Sequence, residues 1–443
     1  MKLSNYFLSE NTMAVQLYDT VKDLPLIDWH NHLEIKDITK NKQYADLTEL
    51  WITPDPYKHR AMRICGIPET LITGPASSYE KFQAWSRCLP ELVGNPLYDW
   101  SHLELLRIFD IDEPLNLYTA GKIWEYANAQ LKKKDCTARG LLARFNVEYV
   151  APCIGLGDDL EDFADVKTAV PSLRGDTLFN LTDAVFSRTG TLAEFRIRLR
   201  QRLQEFHAAG CRFADHSLDC GFIYIPDDGK NEARFAALKR GTACEEDKIA
   251  ISCEILRILG GLYAELGWIL QLHIGALRQT SSRLRATAGP TGGYAGIGNS
   301  CDIGSLTRLL DDLEKSPSGL PQAILYTLNP ADHAMLAVLS GAFPGDGKRG
   351  KVTLGPAWWY CDHINGMHDC LENVAAYGVL SVFPGMTTDS RSLLSFVRHE
   401  YFRRVLCSWL ASKATLKEMP NDFDILRNLA KKICYFNAKA MIQ

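Results

Sequence analysis

Cysteine pairs at Cys-X-X-Cys spacing are absent, although the chain holds 13 cysteines. Their scatter excludes a thiolate zinc knuckle. The odd number argues against a disulfide framework and for reduced thiols in a cytoplasmic protein. No run approaches the ~20 apolar residues that span a bilayer. The start, Met1-Lys2-Leu3-Ser4-Asn5-Tyr6, lacks the apolar core of a signal peptide. Net charge is only −4, with no block of like charges, so neither nucleic acid nor an anionic membrane is expected as a partner. No Gly-X-Gly-X-X-Gly fingerprint follows an apolar run, which removes the usual sign of a dinucleotide cofactor. Internal repeats and low-complexity tracts are also missing.

What is present is an ordinary globular composition, 46% hydrophobic and 23% charged over 443 residues. That length suits two or three average domains, or one α/β barrel with insertions. Eight short apolar runs read as strands: 24–30, 147–153, 169–174, 210–216, 268–275, 322–328, 351–357 and 379–386. Amphipathic stretches such as 191–208, 246–266, 303–315, 366–377 and 391–412 lie between them. The alternation predicts an α/β fold, a (β/α)8 barrel built from 1–32 and 147–443. The segment 33–146 interrupts it and reads as a mainly helical insertion on the catalytic rim, with its clearest helix at 118–133.

The first run, Leu24-Pro25-Leu26-Ile27-Asp28-Trp29-His30-Asn31-His32, ends in a His-X-His pair. Strand alternation predicts Asp28, His30 and His32 on one face, with Trp29 and Asn31 on the other. Two imidazoles so placed can grip one divalent metal, although an isolated His-X-His is common. Other polar groups fall at strand ends: Arg174 after the third run, Asp215-His216 after the fourth, His273 after the fifth, and Asp389-Ser390-Arg391 after the eighth. In a barrel these ends share one mouth. His30, His32 and Asp389 form a nitrogen–nitrogen–oxygen set suited to zinc or a similar ion. Asp389 reads equally as a helix N-cap. His273 fits a satisfied core histidine, a fourth ligand or a substrate contact. Arg174 needs an anion, either Asp215 or a substrate acid. The fourth run contains no lysine to bridge two metals, which favours one metal over two.

Within the insertion, Asp55-Pro56-Tyr57-Lys58-His59-Arg60-Ala61-Met62-Arg63 reads either as a solvated helix start or as a rim segment whose Tyr57 transfers a proton. A phenol titrates near ~10, so acting as a base requires a nearby cation such as a metal or Arg391.

Taken together, these segments are similar to the uronate isomerases, an outlying branch of the amidohydrolase superfamily. The resemblance is carried by Asp28-Trp29-His30-Asn31-His32-Leu33, Tyr57 through Arg63, Gly94-Asn95-Pro96-Leu97-Tyr98 and His102-Leu103-Glu104-Leu105. It continues through Asp215-His216-Ser217-Leu218-Asp219, Gln271 through Arg278, Leu328-Asn329-Pro330 and Ala357-Trp358-Trp359. Its longest stretch is Gly385 through Ser392, extended by Arg398-His399-Glu400-Tyr401-Phe402-Arg403-Arg404. The resemblance implies a distorted barrel of the metal-dependent hydrolase type. It implies one divalent metal, zinc first and manganese second, on His30, His32 and Asp389. Tyr57, Asp389 and Arg391 take the catalytic positions, with Asp389 as the base for ring opening and Tyr57, lowered in pKa by Arg391, as the base for the C2 proton, two roles the residues could exchange. Arg174, Asp215, His273, Trp358 and His59 take substrate-binding ones, with Arg174 on the sugar carboxylate. The implied reaction converts D-glucuronate to D-fructuronate, or D-galacturonate to D-tagaturonate, through an enediol. Its only implied partner is the small sugar acid, with a homo-oligomer left open.

The chain departs from the family pattern in several places. Pro56 precedes the tyrosine where the family has His, and His59 stands where Trp is common. Cys153-Ile154-Gly155-Leu156-Gly157-Asp158-Asp159 replaces Thr-Thr-Asp-Asp-Pro. Arg174-Gly175-Asp176 replaces Arg-Pro-Asp, and the acidic segment after the fifth run becomes 289–296, without carboxylates. The alternatives are a hydrolase of the same superfamily, acting on a lactone, ester or amide, and an inactive barrel kept for binding.

Overall fold

The computed structural model describes residues 11–179 and 187–443; residues 1–6, read above for a signal peptide, lie outside them. Seven parallel strands form one sheet in the order β1-β2-β3-β4-β5-β8-β9. They are β1 (Leu26–Asn31), β2 (Val147–Gly155), β3 (Ser172–Arg174), β4 (Phe213–Leu218), β5 (Ile269–Ile274), β8 (Gln322–Thr327) and β9 (Val352–Leu354). Each is followed by helical structure, as right-handed β-helix-β crossovers require. The two remaining strands, β6 (Ala276–Leu277) and β7 (Gly296–Ile297), form a small antiparallel ribbon beyond the end of β5.

The strands are buried on both faces, so their sequences read as continuous apolar runs. Ile27, Trp29, Tyr149, Phe213, Ile269, Ile324 and Tyr326 fill the barrel interior. Leu270, Leu272, Ala323 and Leu325 face the other way and join the larger cluster beneath the helices. Residues 33–146 contribute helices, among them Pro56–Ile64, Ser78–Cys88, Pro96–Phe109 and Ala120–Leu131.

Two expectations need correction. The run 379–386 is not a strand; it holds a 3-10 turn at Leu380–Val382 and then an irregular segment. Gly385 and Asp389 both adopt positive φ, at 98° and 48°, which a β ladder cannot accommodate. The segment nevertheless closes the barrel against β1: Asp389 N donates to His30 O at 3.1 Å and His32 N to Ser390 O at 2.8 Å. This gives the distorted α/β barrel. The second correction concerns β1, whose register against β2 shifts between Asp28 and Asn31. The shift breaks simple alternation, so Trp29 and His30 both reach the interior. The Trp29 indole donates to Tyr326 Oη at 2.9 Å, and the His30 ring lies 4.5 Å from that of His273. Asp28 turns away from the site. It accepts from Thr387 Oγ1, Thr388 N and Thr388 Oγ1, each at 2.7 Å.

Candidate active site

Oδ1 of Asp389 is the meeting point, 3.2 Å from His30 Nε2 and 3.1 Å from His32 Nε2. The other oxygen, Oδ2, accepts from the Trp358 indole at 2.9 Å. Asp389 caps no helix; Ser392 caps the 3-10 turn that follows. Burial opposes ionisation of Asp389, but its bonds to both histidines outweigh that and hold it well below the usual carboxylate range. Burial is the largest influence on His32 and takes it down to about 3; Asp389 opposes this, and Arg174 and Arg391 add to it. Burial pulls on His30 too, yet Cys153, Asp389 and Asp215 together raise it well above its ordinary value. A cation on Asp389 Oδ1 would displace the proton those neighbours favour on His30.

The donor set fits a divalent metal. Two imidazole nitrogens and one carboxylate oxygen, all within 4.8 Å of one another, can converge on one ion. A second set, His30 with Cys153 and Asp215, lies on the other side of the same ring. There Cys153 Sγ is 3.2 Å from His30 Nδ1 and 3.4 Å from Asp215 Oδ1, so it sits where a metal-bound histidine finds its second partner.

A cavity of about 240 Å3 opens beside these ligands, lined among others by Tyr57, Arg174, His273, Trp358, Asp389 and Arg391. Tyr57 enters it from the first turn of the helix Pro56–Ile64. Asp55 caps that helix, accepting from Tyr57 N at 2.9 Å and Lys58 N at 3.3 Å, and Pro56 holds the first position. The Tyr57 hydroxyl is buried without a hydrogen-bond partner among the described residues.

The expectation that Arg391 lowers the Tyr57 pKa is not met by the protein's own groups. Burial raises it well above an ordinary phenol, Asp362 and Asp389 add to the rise, and Arg398 only partly offsets them. The cation over the Tyr57 ring is Arg398, 4.7 Å from its centroid. The protein's own groups therefore favour the neutral phenol. Arg391 has no hydrogen bond or ion pair among the described residues, which leaves its guanidinium open to the cavity.

Arg174 lines the cavity, but its first partner is Asp176, which the sequence reading did not single out. Nε and Nη2 reach Asp176 Oδ2 at 2.9 and 2.8 Å, whereas Asp215 Oδ2 is 3.6 Å from Nη1. Asp215 is fully buried and does not line the cavity, and burial raises its pKa in spite of Arg174 and His30. His273 stacks on Tyr326 with centroids 4.6 Å apart, and its buried Nε2 has no partner among the described residues. Burial, with help from His30, keeps it neutral. His59 does not line the cavity; it is buried in the insertion, where burial takes it down to about 4.

The glycine-rich segment 289–296 forms a wall of the cavity and docks on the tyrosine's helix. Arg60 Nη1 donates to Ala295 O at 3.2 Å, and Arg63 Nη1 bonds Gly292 O. Gly293 sits at φ 78°, and a Cβ there would lie 2.3 Å from Pro56 O, so only glycine permits this approach. A larger cavity of about 650 Å3 lies near the opposite ends of the strands. Its arginines are already engaged: Arg107 with Glu400, and Arg403 with the carbonyls of Lys22, Leu24 and Pro25.

A curled parallel sheet that offers two first-strand histidines to a carboxylate on the segment bonded to that strand defines a distorted α/β barrel with a candidate metal site. The glucuronate isomerase family pattern matches residues 1–442. The uronate isomerase of Geobacillus thermodenitrificans is 40% identical over 460 aligned positions, covering 99% of this chain and 98% of that one. The crystal structure of uronate isomerase from Thermotoga maritima superposes with a TM-score of 0.91 at 31% identity, covering 99% of both chains. That of glucuronate isomerase from Caulobacter crescentus gives 0.90 at 23% identity, covering 99% of this chain and 96% of that one, a likeness of fold. The chain belongs to the glucuronate isomerase family, and the hydrolase alternative is not favoured. Among the described residues, no helix is long and apolar enough to cross a membrane.

Proposed function

We propose that the chain isomerises a hexuronate, D-glucuronate or D-galacturonate, to D-fructuronate or D-tagaturonate. The observation that carries this reading is the convergence of three groups with complementary states on one cavity. They are an ionised Asp389, a protonated and unpartnered Tyr57 hydroxyl, and an uncommitted Arg391 guanidinium. An aldose–ketose exchange needs an acceptor for the C2 proton, a donor to the C1 oxygen, and fixed positive charge for the intermediate.

In this reading Asp389 accepts the anomeric hydroxyl proton as the ring opens and passes it to the released ring oxygen, and then, ionised again, carries the C2 proton to C1. Tyr57 donates to O1 as the enediol forms and recovers a proton from O2 as it collapses. Arg391 pairs with the substrate's negative charge. Arg174, already paired with Asp176, is a secondary contact for the sugar carboxylate, and His273 Nε2 is a further partner for a hydroxyl. His30, His32 and Asp389 would hold one divalent ion, zinc before manganese on this donor set, which supplies Lewis-acid stabilisation of developing oxygen charge.

The test is a panel of hexuronates incubated in D2O and followed by NMR. Ketose formation with solvent deuterium at C1 or C2 is the expected result. Absence of any ketose, with hydrolysis of lactones instead, overturns the assignment.

A further inference from the structure

Arg398 is buried to 1% exposure and does not line the cavity. Burying a guanidinium costs several kcal/mol unless its surroundings repay it. Here the surroundings are the site itself. The cation lies 4.7 Å from the centroid of Tyr57 and 4.1 Å from that of Trp100, and these two rings meet edge to face at 6.1 Å. Nη1 donates to Thr388 O at 3.0 Å and approaches Asp362 Oδ2 at 3.5 Å. Thr388 immediately precedes Asp389, whose left-handed backbone at φ 48° does not hold itself in place. One planar group thus touches both the ring of the proton-donating tyrosine and the peptide leading into the proton-accepting carboxylate.

We propose that Arg398 is a positioning residue for the isomerisation, fixing the ring plane of Tyr57 relative to the Asp389 peptide without touching substrate. The proposal rests on the roles given above to Tyr57 and Asp389. A lysine at 398 carries the charge but not the planar fork, so it cannot lie against both rings while holding a carbonyl. Displacing a reacting group by about 1 Å costs about a hundred-fold in rate.

The experiment compares Arg398→Met and Arg398→Lys, alone and combined with Tyr57→Phe, for kcat, KM, metal content, Tm and crystal structure. With Tyr57 present, each substitution is expected to lower kcat by about a hundred-fold, with KM and metal content little changed. In the Tyr57→Phe background the same substitutions are expected to cost no more than about three-fold, because the hydroxyl they misplace is already gone. An equal loss in both backgrounds, or an unchanged kcat with Tyr57 present, overturns the proposal. If Arg398→Met fails to fold, Arg398→Lys carries the comparison. The crystal structure separates this proposal from the activity assignment. An unmoved Tyr57 ring in Arg398→Lys defeats the positioning role, whereas an inactive parent enzyme with a displaced ring in the variant defeats only the hexuronate reading.

Discussion

The Trp358 indole N–H donates to Asp389 Oδ2 at 2.9 Å, so Oδ1 alone faces the two imidazoles. Such a bond fixes the rotation of the carboxylate, and outer partners of this kind matter for metal retention. Trp358→Phe is expected to weaken metal binding by roughly 10- to 100-fold while leaving the fold intact. Competition against a chelator, read by elemental analysis, checks it; unchanged retention removes Trp358 from the metal's support.

Arg391→Lys is expected to keep the metal and lose most of the turnover, on the order of 10²-fold, because a point charge cannot replace a planar fork on a developing oxyanion or carboxylate. Steady-state kinetics beside metal analysis make the measurement. A rate near that of the parent would exclude Arg391 from the chemistry.

The His216 ring packs directly against Gly175, in the space a side chain there would fill. A Cβ at 175 would lie 2.0 Å from His216 Cε1. His216 cannot retreat easily, since it is fully buried and its Nε2 bonds Tyr263 Oη at 3.0 Å. Gly175→Ala is expected to destabilise by about 1–3 kcal/mol, as overpacking does. The double variant Gly175→Ala, His216→Ala should lose less than the sum of the two single changes, which urea denaturation will show.

The same histidine predicts an acid-side loss of stability. Burial takes His216 from 6.5 down to about 4. The unfolded chain therefore binds this proton more readily, and the His216 contribution is complete above pH 6.5 and lost as pH falls toward 4. The size is on the order of 3 kcal/mol for a shift of this extent. Urea midpoints between pH 7 and 4 are expected to fall, and less steeply in His216→Gln. Parallel slopes in the two proteins would assign the loss to other groups.

Much of this was legible in the sequence because the signals were local. His30-Asn31-His32 stands at a strand end, and Asp389-Ser390-Arg391 is a contiguous run, so the residues that converge at the cavity could be named. Seven of the eight apolar runs became strands. The eighth failed for a reason the sequence contains but periodicity hides: Pro384-Gly385 and a left-handed Asp389 turn the segment out of a ladder. The shifted register of β1 was likewise invisible, and it moved Asp28 from the ligand face to the closing segment. Arg398 and Cys153 were missed because their partners, Tyr57 and His30, are brought to them only by folding, whereas Asp176 stands two residues from Arg174 and was overlooked as its anion. Arg398 in particular is 341 positions from the ring it covers, beyond the reach of any short motif.

The closure between β1 and the segment 387–390 has one more implication. The ring of strands is fastened where its chemistry sits, by the Thr387 and Thr388 hydroxyls on Asp28 and by the peptide bonds beside Asp389. Unfastening the ring and dismantling the ligand cluster are therefore a single event. An ion bound at that cluster would rivet the whole wheel, and heat enough to spring the wheel would release the ion in the same transition.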